Sequence, residues 1–224
     1  MSQVMKYKKP TRLSDPMSDF SQEELNGILV KQDAELGWED FDRIFQGKMP
    51  AGTYEEVCYY IPLVCACIEN QSDACHFFEH FSIWIEDNYQ RLKADGFIAP
   101  IVSAFHGLFR KSTSAFVLEE NGDHAIYPSV CASVEGVIET LFRLAPTCPD
   151  FRPDALFAEL KENLSFVHAE WIVYLSTEMT LLSSERIRSV ISSSEYQRAL
   201  DVINENLDTI LNDKMLYDFW NGRI

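Results

Sequence analysis

The chain has 224 residues, 46% hydrophobic and 24% charged, with a formal net charge of −16 and a pI near 4.6. A chain of this length buries roughly 70% of its unfolded surface without staples, and the composition is that of a globular protein, so disorder is excluded. Its apolar runs break well short of about 18 residues, so no membrane span is expected. The acidity repels nucleic-acid backbones and anionic lipid and favours a basic protein partner or simple solubility, so the expected partner is a basic protein, with no nucleic acid and no membrane.

Residues 1–20 are loose, polar and basic. Lys6, Lys8, Lys9 and Arg12 precede any acid, and from Asp15 onward 15 bases face 35 acids, a net −20. No apolar core follows these lysines, so no secretory signal is expected from them. The segment reads as a basic extension, docked through Tyr7, Leu13 or Phe20 on an acidic body or held by a neighbour. Residues 21–224 read as a single all-helical domain. Six cysteines without framework spacing read as reduced, partly buried thiols in a cytoplasmic protein.

Ser21 to Glu24 is a capping-box signal, in which the serine hydroxyl and the glutamate satisfy each other's backbone donors, so a helix begins there. A second helix carries Trp38, Phe41, Ile44 and Phe45 and ends at Gly47. Thr53 to Glu56 repeats the capping box, followed by Val57, Ile61, Val64, Cys65 and Ile68 at helical spacing. Pro62 falls inside that run, which predicts a kink or a restart with proline in the first turn. The cleanest period is Ala74, Phe78, Phe81, Ile85, Tyr89 and Leu92, ended by Gly96.

A helix follows from Phe97 to Phe109. For residues 119–127 a helix end followed by a loop is favoured over a hairpin around Asn121-Gly122. Pro128 and Pro153 each open a helix. From Phe166 the pattern is apolar on several sides, as in a central helix, with Trp171 to Leu175 close together. Ser192 to Glu195 is a third capping box, after which Tyr196, Leu200, Ile203, Leu207 and Ile210 are expected to line one buried face. The closing MLYDFW reads as a short aromatic helix. The expected fold is all-α, about eight helices in stacked antiparallel hairpins, with HEAT-like superhelical stacking as an architectural expectation that no constant repeat period supports.

His76-Phe77-Phe78-Glu79-His80 matches the H-x-x-E-H pattern, and DACHFFEHF resembles the zinc helix of pitrilysin and insulysin-type peptidases. The resemblance spans nine residues. It implies Zn²⁺ held by His76 and His80, Glu79 as general base, and a downstream ligand for which Glu159, Glu162 and Glu170 are available. The favoured reading is instead an exposed helix face on which His76, Glu79, His80 and Asp87 are solvated, with no metal and no cofactor. Cys65 and Cys67, two apart, point to opposite sides of a helix and cannot chelate one ion, while Cys58 and Cys65 share a side and read as core. Cys75 beside His76 is the only local thiol–base pair, and adjacent helical residues diverge. His168, in line with Ile172 and Leu175, reads as a satisfied interior or boundary histidine rather than a ligand.

There is no phosphate-binding loop, nucleophile elbow or C-x-x-C pair. The acidic groups Glu39, Asp40 and Asp42; Glu55 and Glu56; Glu119, Glu120 and Asp123; and Glu205, Asp208 and Asp213 are the candidate partner-binding residues. A small acidic helical body rich in aromatics, without a catalytic constellation, resembles bacterial immunity proteins as a class. That resemblance implies a non-enzymatic inhibitor that binds and neutralises a basic toxin. A zinc-dependent hydrolase built on residues 76–80 and a helical adaptor that binds a peptide are the alternatives.

Overall fold

Apolar residues three and four apart bury best as helices, and the protein is all-α. The computed structural model describes residues 7–16, 20–46, 48–70, 72–116, 120–121, 124–125, 129–178 and 181–222. Over these run α1 (Gln22–Val30), α2 (Trp38–Phe45), α3 (Tyr54–Cys58), α4 (Ile61–Asn70), α5 (Phe78–Asp95), α6 (Ile98–Thr113), α7 (Ser129–Leu144), α8 (Pro153–Glu162), α9 (Phe166–Glu178), α10 (Leu181–Val190), α11 (Ser193–Glu205), α12 (Leu207–Asn212) and α13 (Lys214–Asn221). Two 3₁₀ helices, Asp33–Glu35 and Ser72–Phe77, complete the helical set among the described residues.

The helix starts follow their caps. Ser21, Thr53 and Ser192 open α1, α3 and α11, and their backbone N–H groups donate to Glu24 (2.8 Å), Glu56 (2.8 Å) and Glu195 (2.7 Å). Pro62 is the second residue of α4, where a first-turn donor would be unpaired in any case. The chain turns at Tyr59 and Tyr60, and Tyr60 N–H donates to the Val57 carbonyl (3.0 Å). Gly96 ends α5 at φ 82°, a left-handed conformation that glycine adopts without penalty.

Several elements differ from the expectations. At the end of α2 the left-handed residue is Gln46, at φ 36°, and the expected stop Gly47 lies outside the described residues. Around residue 120 the hairpin replaces the favoured helix end: Glu120 pairs with Ala125 and Asn121 with His124, antiparallel. The helix before it stops at Thr113, where the Thr113 and Ser114 hydroxyls turn back onto the Arg110 and Lys111 carbonyls. The break at Tyr59 is the restart that Pro62 predicts, whereas the further breaks at Phe77 and at Asn206 need neither glycine nor proline and carry the number of helices past the expected eight. The Asn206 break, at φ −111° and ψ 24°, divides one expected helix into α11 and α12.

The contacts gather the chain into two compact units, residues 1–109 with 136–151 and residues 110–135 with 152–224. The core of the first is aromatic. Phe45 meets Phe81 at 4.8 Å and Trp84 at 5.0 Å between ring centroids, and Phe78 meets Phe105 at 5.1 Å. Edge-on pairs of this kind add about 0.5–1.5 kcal/mol each beyond the area they bury. The basic extension docks on this unit. Leu13 is fully buried, the Tyr7 hydroxyl donates to Asp95 (3.0 Å), and Lys9 reaches both the Lys31 carbonyl (2.6 Å) and Asp33 (3.2 Å).

In the second unit α8, α10 and α11 pack on α9, whose Trp171, Ile172, Val173, Tyr174 and Leu175 are all buried, as a central helix requires. The Trp171 indole donates to the Ala115 carbonyl (3.0 Å), and Phe116 lies against Trp171 and Trp220.

Within the first unit, α7 approaches the second 3₁₀ helix at Gly136. A Cβ there would lie 2.9 Å from the Cys75 Cβ and 3.4 Å from the Phe78 ring. A Cβ cannot swing aside as a side-chain tip can, so overpacking costs up to about 3 kcal/mol, against about 1 kcal/mol returned by alanine's helix propensity. Gly136→Ala is therefore expected to lower stability by about 1 to 2 kcal/mol, seen as an earlier urea midpoint at constant m. An unchanged midpoint would show that the contact relaxes freely.

Candidate functional site

The acidic groups separate once their partners are known. Asp40 is not available to a partner, which corrects its assignment: it is 3% exposed, accepts from Lys31 Nζ at 2.7 and 2.8 Å, and accepts the Gly37 N–H at 3.0 Å. Its position three residues into α2 makes it the cap of that helix rather than a surface charge. Asp42 bonds His80 Nδ1 (2.7 Å), Glu55 pairs with Arg91, whose guanidinium lies 3.7 Å over the Tyr54 ring, and Glu56 is used in the α3 capping box. Glu39 is exposed. Glu119 and Asp123 lie outside the described residues, and Glu120 is placed by its backbone pairing in the hairpin.

The H-x-x-E-H run is exposed at His76, Glu79 and His80, as expected, but it does not converge. His76 belongs to the 3₁₀ helix and His80 to α5, so the four-residue spacing does not set the two imidazoles on one helical face. Each polar member has a separate neighbour: the His76 ring lies against Trp38, tilted, with centroids 5.1 Å apart, Glu79 meets Arg143 at 3.5 Å, and His80 meets Asp42. Among the described residues no group of three or more His, Cys, Asp or Glu side chains is placed to hold a metal ion.

Cys58, Cys65, Cys67 and Cys148 are buried thiols, and Cys75 is half-buried. Burial pushes Cys58, Cys65 and Cys67 up to about 12, so these sulfurs stay protonated and serve as packing. His168 Nδ1 lies 2.7 Å from the Asn163 carbonyl at the boundary of the second unit, in keeping with its reading as a satisfied histidine.

Glu159 and Glu170 are also committed elsewhere. Glu159 takes a two-pronged hydrogen bond from Arg110, both arms 2.8 Å. Glu170, on α9, is 1% exposed and receives only the Trp220 indole N–H (3.4 Å) among the bonds it makes in the second unit. Burial first, and the negative charge of Asp213 after it, push its carboxyl from 4.5 up to about 7, while the indole bond opposes them.

The last acid group has a different setting. Glu205, Asp208 and Asp213 are exposed, at the end of α11, on α12 and at the cap of α13, where Asp213 accepts the Leu216 N–H (3.1 Å). None of the three is in an ion pair among the described residues. Beside them Leu207 is 45% exposed, Leu211 60% and Tyr217 40%. Sequence periodicity put Leu207 on the buried face of a continuous helix. The break at Asn206 turns it outward and leaves Ile203 and Ile210 buried on either side of the break. The one signal for it is asparagine itself, a residue that tolerates helix ends.

Among the described residues no helix is long and apolar enough to cross a membrane. Comparison with family models, curated proteins and solved structures yields no match to this chain.

Proposed function

We propose that this is an acidic helical protein-interaction module that binds a basic protein, most concretely an immunity-type inhibitor that occupies and neutralises a basic toxin or effector in the cytoplasm. The observation that carries the reading is the C-terminal edge of the second unit. There Glu205 and Asp208 stand exposed without cations, next to exposed apolar side chains, in a chain of net charge −16. Elsewhere Asp40, Glu55 and Glu159 already have cationic partners. Unpaired carboxylates on one edge steer a positive partner and fix its orientation, and apolar contact then holds it. No catalytic role is assigned to any residue.

The expected result is capture of a basic protein from the native host by the tagged chain at about 50 mM salt, with much weaker capture at about 300 mM, as exposed-charge attraction is screened. The captured protein should then bind the purified chain and lose its own activity when bound. Absence of a partner, or an affinity indifferent to salt, would count against the reading.

A further inference from the structure

We propose that α12, with α13 packed beside it, is the docking face for a basic amphipathic helix of the partner protein. The proposal rests on the reading of the chain as an acidic binding module and adds to it the surface and the shape of what binds. Leu207 and Leu211 are four apart, so they stand about 40° from one another around the α12 axis, with Asp208 on one flank and Ile210 on the other. Ile210 is 2% exposed and anchors the helix, which leaves the two leucines as an outward ridge. Tyr217 and Asp218 are exposed on α13, which contacts α12.

Charge complementarity selects the occupant. The ridge is bordered by Glu205, Asp208, Asp213 and Asp218, with Lys214 the one base in that stretch. A second copy of this chain would set the same acids face to face, and anionic lipid would be repelled in the same way. A helix with leucine-like residues on one side and lysine or arginine along its borders satisfies both parts of the surface. The described residues of α11 to α13 present no strand edge for an extended peptide to extend, whereas a ridge of residues four apart fits the groove of another helix.

The test uses the full chain and a synthetic peptide of about 18 residues, with leucines at helical spacing and lysines elsewhere, beside a scrambled peptide of the same composition. Fluorescence anisotropy should show the patterned peptide binding at least about tenfold more tightly than the scrambled one, and Leu207→Ser/Leu211→Ser should remove that advantage. Met49→Ser, at a 45% exposed position in the other unit, should not change it. Both leucines are exposed, and unchanged thermal melting would confirm that the variant is folded.

Equal, salt-sensitive binding of both peptides, unaffected by the serine variant, would overturn the docking face while leaving the acidic module standing. Binding of neither peptide would overturn the docking face and count against the acidic module as well. A dimer in sedimentation that the serine variant dissolves would assign the ridge to a second copy and overturn the proposal.

Discussion

Glu170→Gln is expected to stabilise the protein by about 3 kcal/mol at about pH 8 and to leave its stability unchanged at about pH 4. The carboxyl is buried on α9 with the Trp220 indole as its donor, and Asp213 adds negative charge rather than cancelling it. Below 4.5 Glu170 is neutral in both the folded and the unfolded chain, so it takes nothing from stability. Between 4.5 and about 7 the unfolded chain releases the proton and the folded chain keeps it, so stability falls as pH rises. The loss is about 1.4 kcal/mol for each pH unit, and it is complete above the folded value. Glutamine keeps an acceptor for the indole and removes the charge. Urea unfolding of both proteins at the two pH values isolates this group, because carboxylates held low, such as Glu195, lose their contribution in acid equally in each. A difference between the variants that is the same at both pH values would sink the assignment. Since Trp220 anchors α13 from within, the same titration should appear as a change in tryptophan fluorescence near pH 7 that Glu170→Gln abolishes.

Where a helix begins was readable because caps are local chemistry: Ser21, Thr53 and Ser192 each find their glutamate three residues on. The stripe Phe78, Phe81, Ile85, Tyr89 and Leu92 was readable for the same kind of reason, since burial follows a fixed period along one helix, and all five residues are buried. Periodicity assumes that the helix continues, however. It does not continue at Phe77, where a 3₁₀ segment meets α5 and separates His76 from His80, and it does not continue at Asn206, where Leu207 swings out. Those two breaks decide the functional reading, since one disperses a metal-like pentad and the other creates an apolar ridge beside unpaired acids. The acids were legible as a composition but not as a surface. Whether a carboxylate is free depends on cations brought to it by folding, as Arg110 is to Glu159 across 49 residues.

Asp40→Ala is expected to cost about 3 kcal/mol, whereas Glu205→Ala and Asp208→Ala should each stay within about 0.5 kcal/mol of the parent. All three are carboxylates in acidic stretches, and only their surroundings distinguish them. Removing the Asp40 side chain leaves Lys31 without either of its two short contacts and leaves the Gly37 N–H, at the start of α2, without an acceptor. Charge-assisted bonds of this kind are worth about 1.5–3 kcal/mol, and loss of a helix cap typically adds about 1. The lysine, 41% exposed, recovers part of its hydration, which keeps the loss below that of a fully buried pair. Asp40→Asn keeps an acceptor for Gly37 and should restore about 1 kcal/mol. Urea unfolding of the four variants checks the order. An Asp40→Ala protein as stable as the Asp208→Ala one would mean that the carboxylate is solvated and open to a partner after all. The charge of Asp40 is already answered by Lys31, so under the proposed reading the attraction for a basic partner falls to carboxylates such as Glu205 and Asp208, whose removal should weaken association without weakening the fold.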